Sequence, residues 1–265
     1  ALLAGYAAQA AAALDRERLR TQAAQAEALA EGNRMRTALL AAVSHDLRTP
    51  LASIKASVSS LRQTDVQWSE EDEADLLATI EQNADRLDAL IGNLLDMSRL
   101  HTGSLQPFLR PTAIDEVAPM ALLGMDDDLR LEMAMPEGFP LVLADPGLLE
   151  RVLANLFSNA LRHSPAGQPP ELQASLESGA VWLEVVDHGP GVPDGQKAAM
   201  FEPFTRLGDR GDRYPGVGLG LAVAKGFAEA MGGHISALDT PGGGLTVRIT
   251  MPAAIGEASA LETGS

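Results

Sequence analysis

Apolar positions recur along the first sixty residues with the period of a helix. Leu40, Val43, Leu47, Leu51, Ile54, Val58 and Leu61 follow one another at steps of three and four, which draws one apolar seam along an α-helix. From Ala7 to about Arg62 the only proline is Pro50, and Ala, Leu, Gln, Glu and Arg dominate. All are good helix formers. The pattern breaks over Gln63–Ser69. Ser69, followed by Glu70, Glu71 and Asp72, reads as an N-cap with an acidic first turn. It predicts a second helix to about Leu100, with Leu76, Ile80, Leu87, Leu90, Leu94 and Met97 as its stripe. Two such helices joined by a short loop make an antiparallel hairpin. One hairpin leaves too much apolar surface in water, and the heptad-like spacing suits coiled-coil packing. A homodimer closing a four-helix bundle is the expected remedy.

The texture changes after Thr102-Gly103-Ser104, with Pro107 and Pro111 just beyond. Short apolar runs, Leu141-Val142-Leu143 and Val181–Val186, alternate with longer helical patterns, as in an α/β domain. Asp145-Pro146 opens one of those helices as N-cap and first helical residue. Gly242-Gly243-Gly244 reads as a hairpin turn before a final strand, Leu245–Met251. The organisation is then a polar linker helix at 1–36, a helical hairpin at 37–104 and a linker at 105–111. An α/β domain follows at 112–252, and a disordered tail at 253–265.

Charge narrows the partners. A formal net charge of −16 repels nucleic acid and anionic membranes, though not a small anion at a locally basic site. The absence of cysteine excludes a disulfide framework, thiolate chemistry and zinc ribbons. Ala1–Leu14 is apolar but too short to span a bilayer. A membrane is therefore expected only through segments upstream of residue 1.

Two constellations carry chemistry. In Ser44-His45-Asp46-Leu47-Arg48-Thr49-Pro50, His45 lies two residues from both Val43 and Leu47. That is about 200° of helical rotation, so it faces water. Asp46 and Thr49 are expected beside it on an exposed surface. Pro50 removes the hydrogen bond to the Asp46 carbonyl and bends the helix at a cost of about 3 kcal/mol. The second constellation begins with Asn155 and Asn159, four apart on one helix face. An amide carbonyl there is a hard oxygen ligand suited to Mg²⁺ shared with phosphates, and Arg162 and His163 follow. Next, a strand ends at Asp187, with Gly189, Gly191 and Val192 close behind. Such a carboxylate can accept the exocyclic amine of adenine, while the glycines let backbone approach a ligand. Phe204 precedes a charged loop, Thr205–Tyr214, suited to a mobile lid. Gly216, Gly218, Leu219, Gly220 and Leu221 then enter a helix whose N-terminus is a phosphate cradle. This is not the Rossmann pattern, because no strand immediately precedes it.

In order and spacing these elements resemble the H box and the N, G1, F and G2 boxes of sensor histidine kinases. Details such as Ser-His-Asp-Leu-Arg-Thr-Pro-Leu and Pro-Gly-Val-Gly-Leu-Gly-Leu-Ala are most similar to the KdpD-type potassium and osmotic sensors. The resemblance implies a dimerisation and phosphotransfer domain of HisKA type. It also implies an α/β two-layer sandwich of the Bergerat fold shared with gyrase-type and Hsp90-type ATPases. His45 would be the phosphoacceptor, Asp46 its orienting group, and Thr49 the residue placing water for dephosphorylation of the partner. Asn159 would hold Mg²⁺ and Asn155 support the phosphates. Arg162 and His163 would flank the nucleotide and Asp187 read adenine. Val192, Phe204, Leu219, Leu221 and the five glycines would line the pocket and lid. ATP and Mg²⁺ are the implied cofactors, a response-regulator receiver domain the partner, and the cytoplasmic face of a bacterial inner membrane the location. His188 and His163 stand where Asn and Tyr are common in the family. Asn155 stands where gyrase-type relatives carry a water-activating Glu, which favours transfer to a side chain over hydrolysis. A Bergerat-type ATPase and a dimeric scaffold with a vestigial ATP site are the competing readings.

Overall fold

The computed structural model describes residues 43–123, 132–136, 138–165, 167–205 and 218–254. The expected linker helix, Gly216, the charged loop beyond Thr205 and the tail from residue 255 lie outside them.

Residues 43–61 are helical (α1), and α2 runs over Glu70–His101. Ser69 caps α2 as its sequence demands, its hydroxyl accepting from the Asp72 amide at 3.1 Å. Two cross-links set the antiparallel register. The Trp68 indole donates to the Ser60 carbonyl at 3.1 Å, and the Asn83 amide reaches the Ser53 hydroxyl at 3.4 Å. With 53 opposite 83, His45 stands near the level of Leu90–Gly92.

The predicted seam divides between two faces. Val43, Leu47, Ile54 and Leu61 are half-covered, but Leu51 and Val58 are exposed, as are Leu77, Ile91 and Leu95 on α2. Between the half-covered positions the first helix presents Asp46, Pro50 and Ser57, all buried. Helix α1 thus shows α2 a face that is partly polar and small. The large side chains on the other side lack cover from the described residues.

The second region is built around a five-stranded sheet of order β2-β4-β5-β7-β6. Its strands are β2 (Glu132–Ala134), β4 (Glu171–Glu177), β5 (Ala180–Val186), β6 (His234–Asp239) and β7 (Leu245–Pro252). β2 joins β4 in parallel, and the other pairs are antiparallel. Ser178 and Gly179, both at positive φ, make the two-residue turn that matches the right-handed twist of a hairpin. Helices α3 (Ile114–Leu122), α4 (Pro146–His163) and α6 (Gly220–Ala230) form the other layer. Leu149, Leu153, Leu156 and Phe157 from α4 meet Leu172, Leu183, Phe227 and Ile249 in one core. On the opposite sheet face, the Arg248 guanidinium lies 4.1 Å over the Trp182 ring and pairs with Glu184 at 2.7 Å.

A short α5 (Asp194–Lys197) and a single 3₁₀ turn lie between β5 and α6. A small ribbon, β1 (Arg110–Thr112) with β3 (Val142–Ala144), sits beside the sheet. Pairing continues past Pro252: Ala253 bridges Val142, and the Ala254 amide donates to the Leu141 carbonyl at 2.7 Å. Residues 253 and 254, assigned by sequence to the disordered tail, are therefore held by the ribbon, because their backbone finds a free strand edge.

Candidate functional site

The first constellation is local. His45 Nδ1 sits 3.1 Å from Asp46 Oδ1, and the His45 side chain is 79% exposed. The Thr49 hydroxyl donates to the His45 carbonyl at 3.3 Å. The helix runs unbroken through Pro50, so the lost backbone bond does not end it. One expectation is corrected: Asp46 is not on an exposed surface but 8% exposed. Asp46 lies one position before Leu47 and three after Val43, so it falls at the edge of the covered face. Its carboxylate is therefore anchored, and the imidazole it holds projects outward.

The second site is organised by α4. Asp145 caps it, with Oδ1 accepting from the Gly147 and Leu148 amides at 3.0 and 3.2 Å. Its Oδ2 accepts from the Phe108 amide at 2.9 Å, which ties the incoming linker to the same cap. Asn155 and Asn159 are half-buried one turn apart. Asn155 donates to the Arg151 carbonyl at 2.9 Å. Its Oδ1 lies where a Cβ on Gly220 would come within 2.8 Å, so only glycine lets the start of α6 approach α4. At the other end of α4, a Cβ on Gly189 would meet the His163 carbonyl at 2.8 Å. One helix therefore touches both glycine segments.

Asp187 is buried at the end of β5. Its Oδ1 accepts from the Gly189 amide at 2.9 Å and the Leu245 amide at 3.0 Å. Exposed in part, His163 is still covered enough that burial pulls its imidazole below the ordinary value. The Arg162 charge adds to that lowering and Asp187 opposes it. Across the cleft, the Phe204 amide donates to the Gly218 carbonyl at 2.9 Å, so the two flanks of residues 206–217 meet. Gly218 is at φ +70°, and a Cβ there would come within 2.6 Å of the Thr205 carbonyl.

The residues singled out by sequence thus divide into groups. Asn155, Asn159, His163, Asp187, Gly189, Gly191, Gly218 and Gly220 are brought into one neighbourhood by α4 and the ends of β5 and α6. Arg162 stands on the last turn of α4. Val192 and Leu221 pack onto the main core. Leu219 and Phe204, assigned to the nucleotide pocket, belong to a small apolar cluster with Leu90, Leu94, Val43, Leu47 and Met97 of the hairpin. Gly216 lies outside the described residues. His45 turns away from that cluster, because Val43 and Leu47 pack onto it and His45 lies half a turn from both.

Several site residues are not visible from sequence. Arg151 pairs with the buried Asp96 of α2 at 2.7 Å and lies over Gly92, where a Cβ would meet its guanidinium at 2.9 Å. Leu100 of α2 sits against Gly226 of α6, within 2.5 Å of where a Cβ would be. A mid-helix glycine costs about 1 kcal/mol against alanine. That cost was the one sequence signal available for both seats.

The donor set also fits a particular ion. Among the described residues no three His, Cys, Asp or Glu side chains gather to hold a metal. A Mg²⁺ ion, which keeps several waters and binds through few protein oxygens and substrate phosphates, matches what α4 offers at Asn159.

Residues 35–103 match the His Kinase A (phospho-acceptor) domain. Residues 144–255 match the histidine kinase-, DNA gyrase B- and HSP90-like ATPase. The chain is a histidine-kinase core. Its relatives include the sensor protein KdpD of Mycobacterium tuberculosis H37Rv, 48% identical over 263 residues, covering 95% of this chain and 30% of that protein. KdpD of Escherichia coli K12 is 36% identical over 242 residues, covering 91% and 27%. The histidine-kinase core thus spans about three-tenths of the curated relatives it matches. Among solved structures it is similar to full-length ShkA in complex with AMPPNP, with 28% identity and a TM-score of 0.56, covering 81% of this chain and 45% of that one. The ATPase domain of such a core implies a capacity to bind ATP and Mg²⁺, and the phosphoacceptor domain implies a receiver-domain partner.

Proposed function

We propose that this core phosphorylates His45 from ATP with Mg²⁺ and then passes the phosphoryl group to an aspartate of a response-regulator receiver domain. The observation that carries the reading is the His45–Asp46 pair. An ionised Asp46 would accept from Nδ1, 3.1 Å away, which would select the tautomer whose Nε2 carries the lone pair, on a side chain that is 79% exposed. In the transfer, Nε2 forms a bond to the γ-phosphorus as the bridging bond to the β-phosphate oxygen breaks. ADP leaves, and Asp46 stabilises or takes the Nδ1 proton. Such a step needs alignment and charge neutralisation more than covalent help. Asp187 would select adenine, Asn155 and Arg162 would support the phosphates, and the glycine-lined start of α6 would bring amides to them. Mg²⁺ would sit at Asn159 and neutralise the phosphate oxygens. Thr49, one turn from His45, would place water when the core dephosphorylates its receiver.

The exposed Leu51, Val58, Leu77, Ile91 and Leu95 support a homodimeric four-helix bundle. The hairpin at 37–104 would be the dimerisation and phosphotransfer domain, 105–111 the linker, and 112–252 the catalytic domain. The 48% identity to a KdpD supports a place among KdpD-type sensors, with potassium or osmotic stress as the stimulus. On the same reading the core lies on the cytoplasmic side of an inner membrane and is joined to it by segments upstream. Among the described residues no helix is long and apolar enough to cross a membrane.

The test is incubation with γ-labelled ATP and Mg²⁺. An acid-labile, base-stable label is expected on the native chain and none on His45→Gln. Label that survives in the variant, or ATP turnover with no phosphoprotein, would remove His45 from the mechanism.

A further inference from the structure

The β6–β7 hairpin lies against the adenine end of the site, and none of its residues belongs to the constellations above. Its contacts converge on Asp187. The Leu245 amide donates to Asp187 Oδ1 at 3.0 Å, and the Asp187 amide donates back to the Leu245 carbonyl at 2.9 Å. Gly244 is at φ +119°, and a Cβ there would land on the Asp187 carbonyl oxygen and within 2.9 Å of His188 Cα. A Cβ on Gly191 would in turn meet the Gly244 carbonyl at 3.1 Å. The hairpin is itself stiff. Thr240 and Thr246 share a buried hydroxyl–hydroxyl bond at 2.9 Å, and the Gly243 amide donates to the Thr240 carbonyl at 3.0 Å. Farther along, Lys197 bridges Asp194 at 2.6 Å and Asp239 at 2.7 Å, so the segment after Asp187 is pinned to the same hairpin at its other end.

Two amides, from Gly189 and Leu245, occupy Oδ1. Among the described residues none donates to Oδ2. A buried carboxylate so held has one oxygen committed, and rotating it would cost two charge-assisted bonds.

We infer that the β6–β7 hairpin is the positioning element for adenine selection, with Gly244 and the Leu245 amide fixing Asp187 so that Oδ2 alone meets the exocyclic amine. The inference rests on the reading of Asp187 as the adenine contact. Gly244 is assigned a positioning role because its backbone lies against Asp187 and His188. Gly242 and Gly243 share its positive φ but have open space around them, so they serve the turn alone. That separates the role of Gly244 from mere hairpin geometry.

The experiment measures binding of ATP and of purine riboside triphosphate, which lacks the 6-amino group, to the full chain and its variants. A hydrogen bond to a charged group predicts that the native chain prefers ATP by about tenfold or more. Gly244→Ala is expected to weaken ATP by about tenfold and leave the analogue within about twofold, so the preference collapses. Gly243→Ala carries the same backbone strain and is expected to keep it. If Gly244→Ala does not fold, Thr240→Val with Thr246→Val replaces the hairpin's buried bond by apolar groups of the same shape, and the preference should fall by about threefold or more. A native chain with no preference would overturn the reading of Asp187 and the inference together. A native preference retained in Gly244→Ala, or in the double variant where that is the one that folds, would overturn the inference alone. So would an equal loss for both nucleotides.

Discussion

The hairpin and the α/β domain treat apolar surface in opposite ways. In the α/β domain Leu149, Leu153, Phe157, Leu172, Leu183 and Phe227 are 0–1% exposed, and the sheet face away from them carries the Arg248–Glu184 pair over Trp182. In the hairpin Leu90 is the only buried hydrophobic among the described residues, while six large aliphatic side chains stand exposed. One region gathers a large core from its own chain and leaves Met120, Leu123, Met133, Leu141 and Leu176 exposed around it, whereas the other has almost no core of its own among the described residues. That difference suits their roles. A nucleotide pocket needs groups held in place before the ligand arrives. On the proposed function, His45 would meet several visitors in turn: an ATP-loaded domain, a receiver and a second copy.

The sharpest way to break the comparison is to damage the core of the α/β domain. Phe157→Ala deletes a fully buried ring, at a cost of about 3–5 kcal/mol. The α/β domain should lose its cooperative melting transition while far-ultraviolet helicity from the hairpin survives. Loss of both signals together would mean that the hairpin depends on the domain for its fold. The next effect is smaller and bears on the other region. Leu95→Glu places a charge where a partner's apolar face is expected, with a loss of about 2 kcal/mol of burial per subunit. Sedimentation should show a monomer, and the α/β transition should not move. A variant that stayed dimeric would refer the exposed leucines to some other occupant.

Legibility in the sequence followed the range of the interactions. Caps are local, so Ser69 and Asp145-Pro146 could be read directly, and both side chains make the predicted bonds. The exposure of His45 followed from a helical period alone. The burial of Asp46 did not, because a residue at the edge of a seam is covered or bare according to its neighbour. The same holds for Leu219 and Phe204. The spacing of glycines suggested a nucleotide, whereas their packing on Leu90 is a tertiary fact. The strict alternation of Leu172, Ala174 and Leu176 with polar residues could have revealed β4. Strands of three residues, β1 and β2, are too short for any period to show. Helix α3 was hidden by Pro119 in its interior. Gly92 and Gly226, odd residues in mid-helix, turn out to be seats for Arg151 and Leu100, which no single-helix pattern contains.

The smallest expected effect separates the two regions by pH. His163 lies at the end of α4, and burial and the Arg162 charge hold its imidazole below the ordinary value of 6.5, with Asp187 pulling the other way. The folded state thus favours the neutral ring. Well above pH 6.5 both folded and unfolded chains carry it neutral, and it costs nothing. As pH falls through 6.5 the unfolded chain takes up the proton first, so the folded state loses stability until its own lower value is passed. Because much of the side chain is in water, solvent screening keeps the effect small. The α/β transition should fall by about 1–2 °C more in the native chain than in His163→Gln over that range. Carboxylates that titrate in both proteins cancel in the difference. The hairpin transition should be the same in both, since His163 packs on Gly189 and not on the helices. If both proteins lost stability equally on acidification, the proton would be going to a group other than His163. A difference confined to the hairpin transition would place the coupling across the Arg151–Asp96 contact, on the same helix α4 that carries His163.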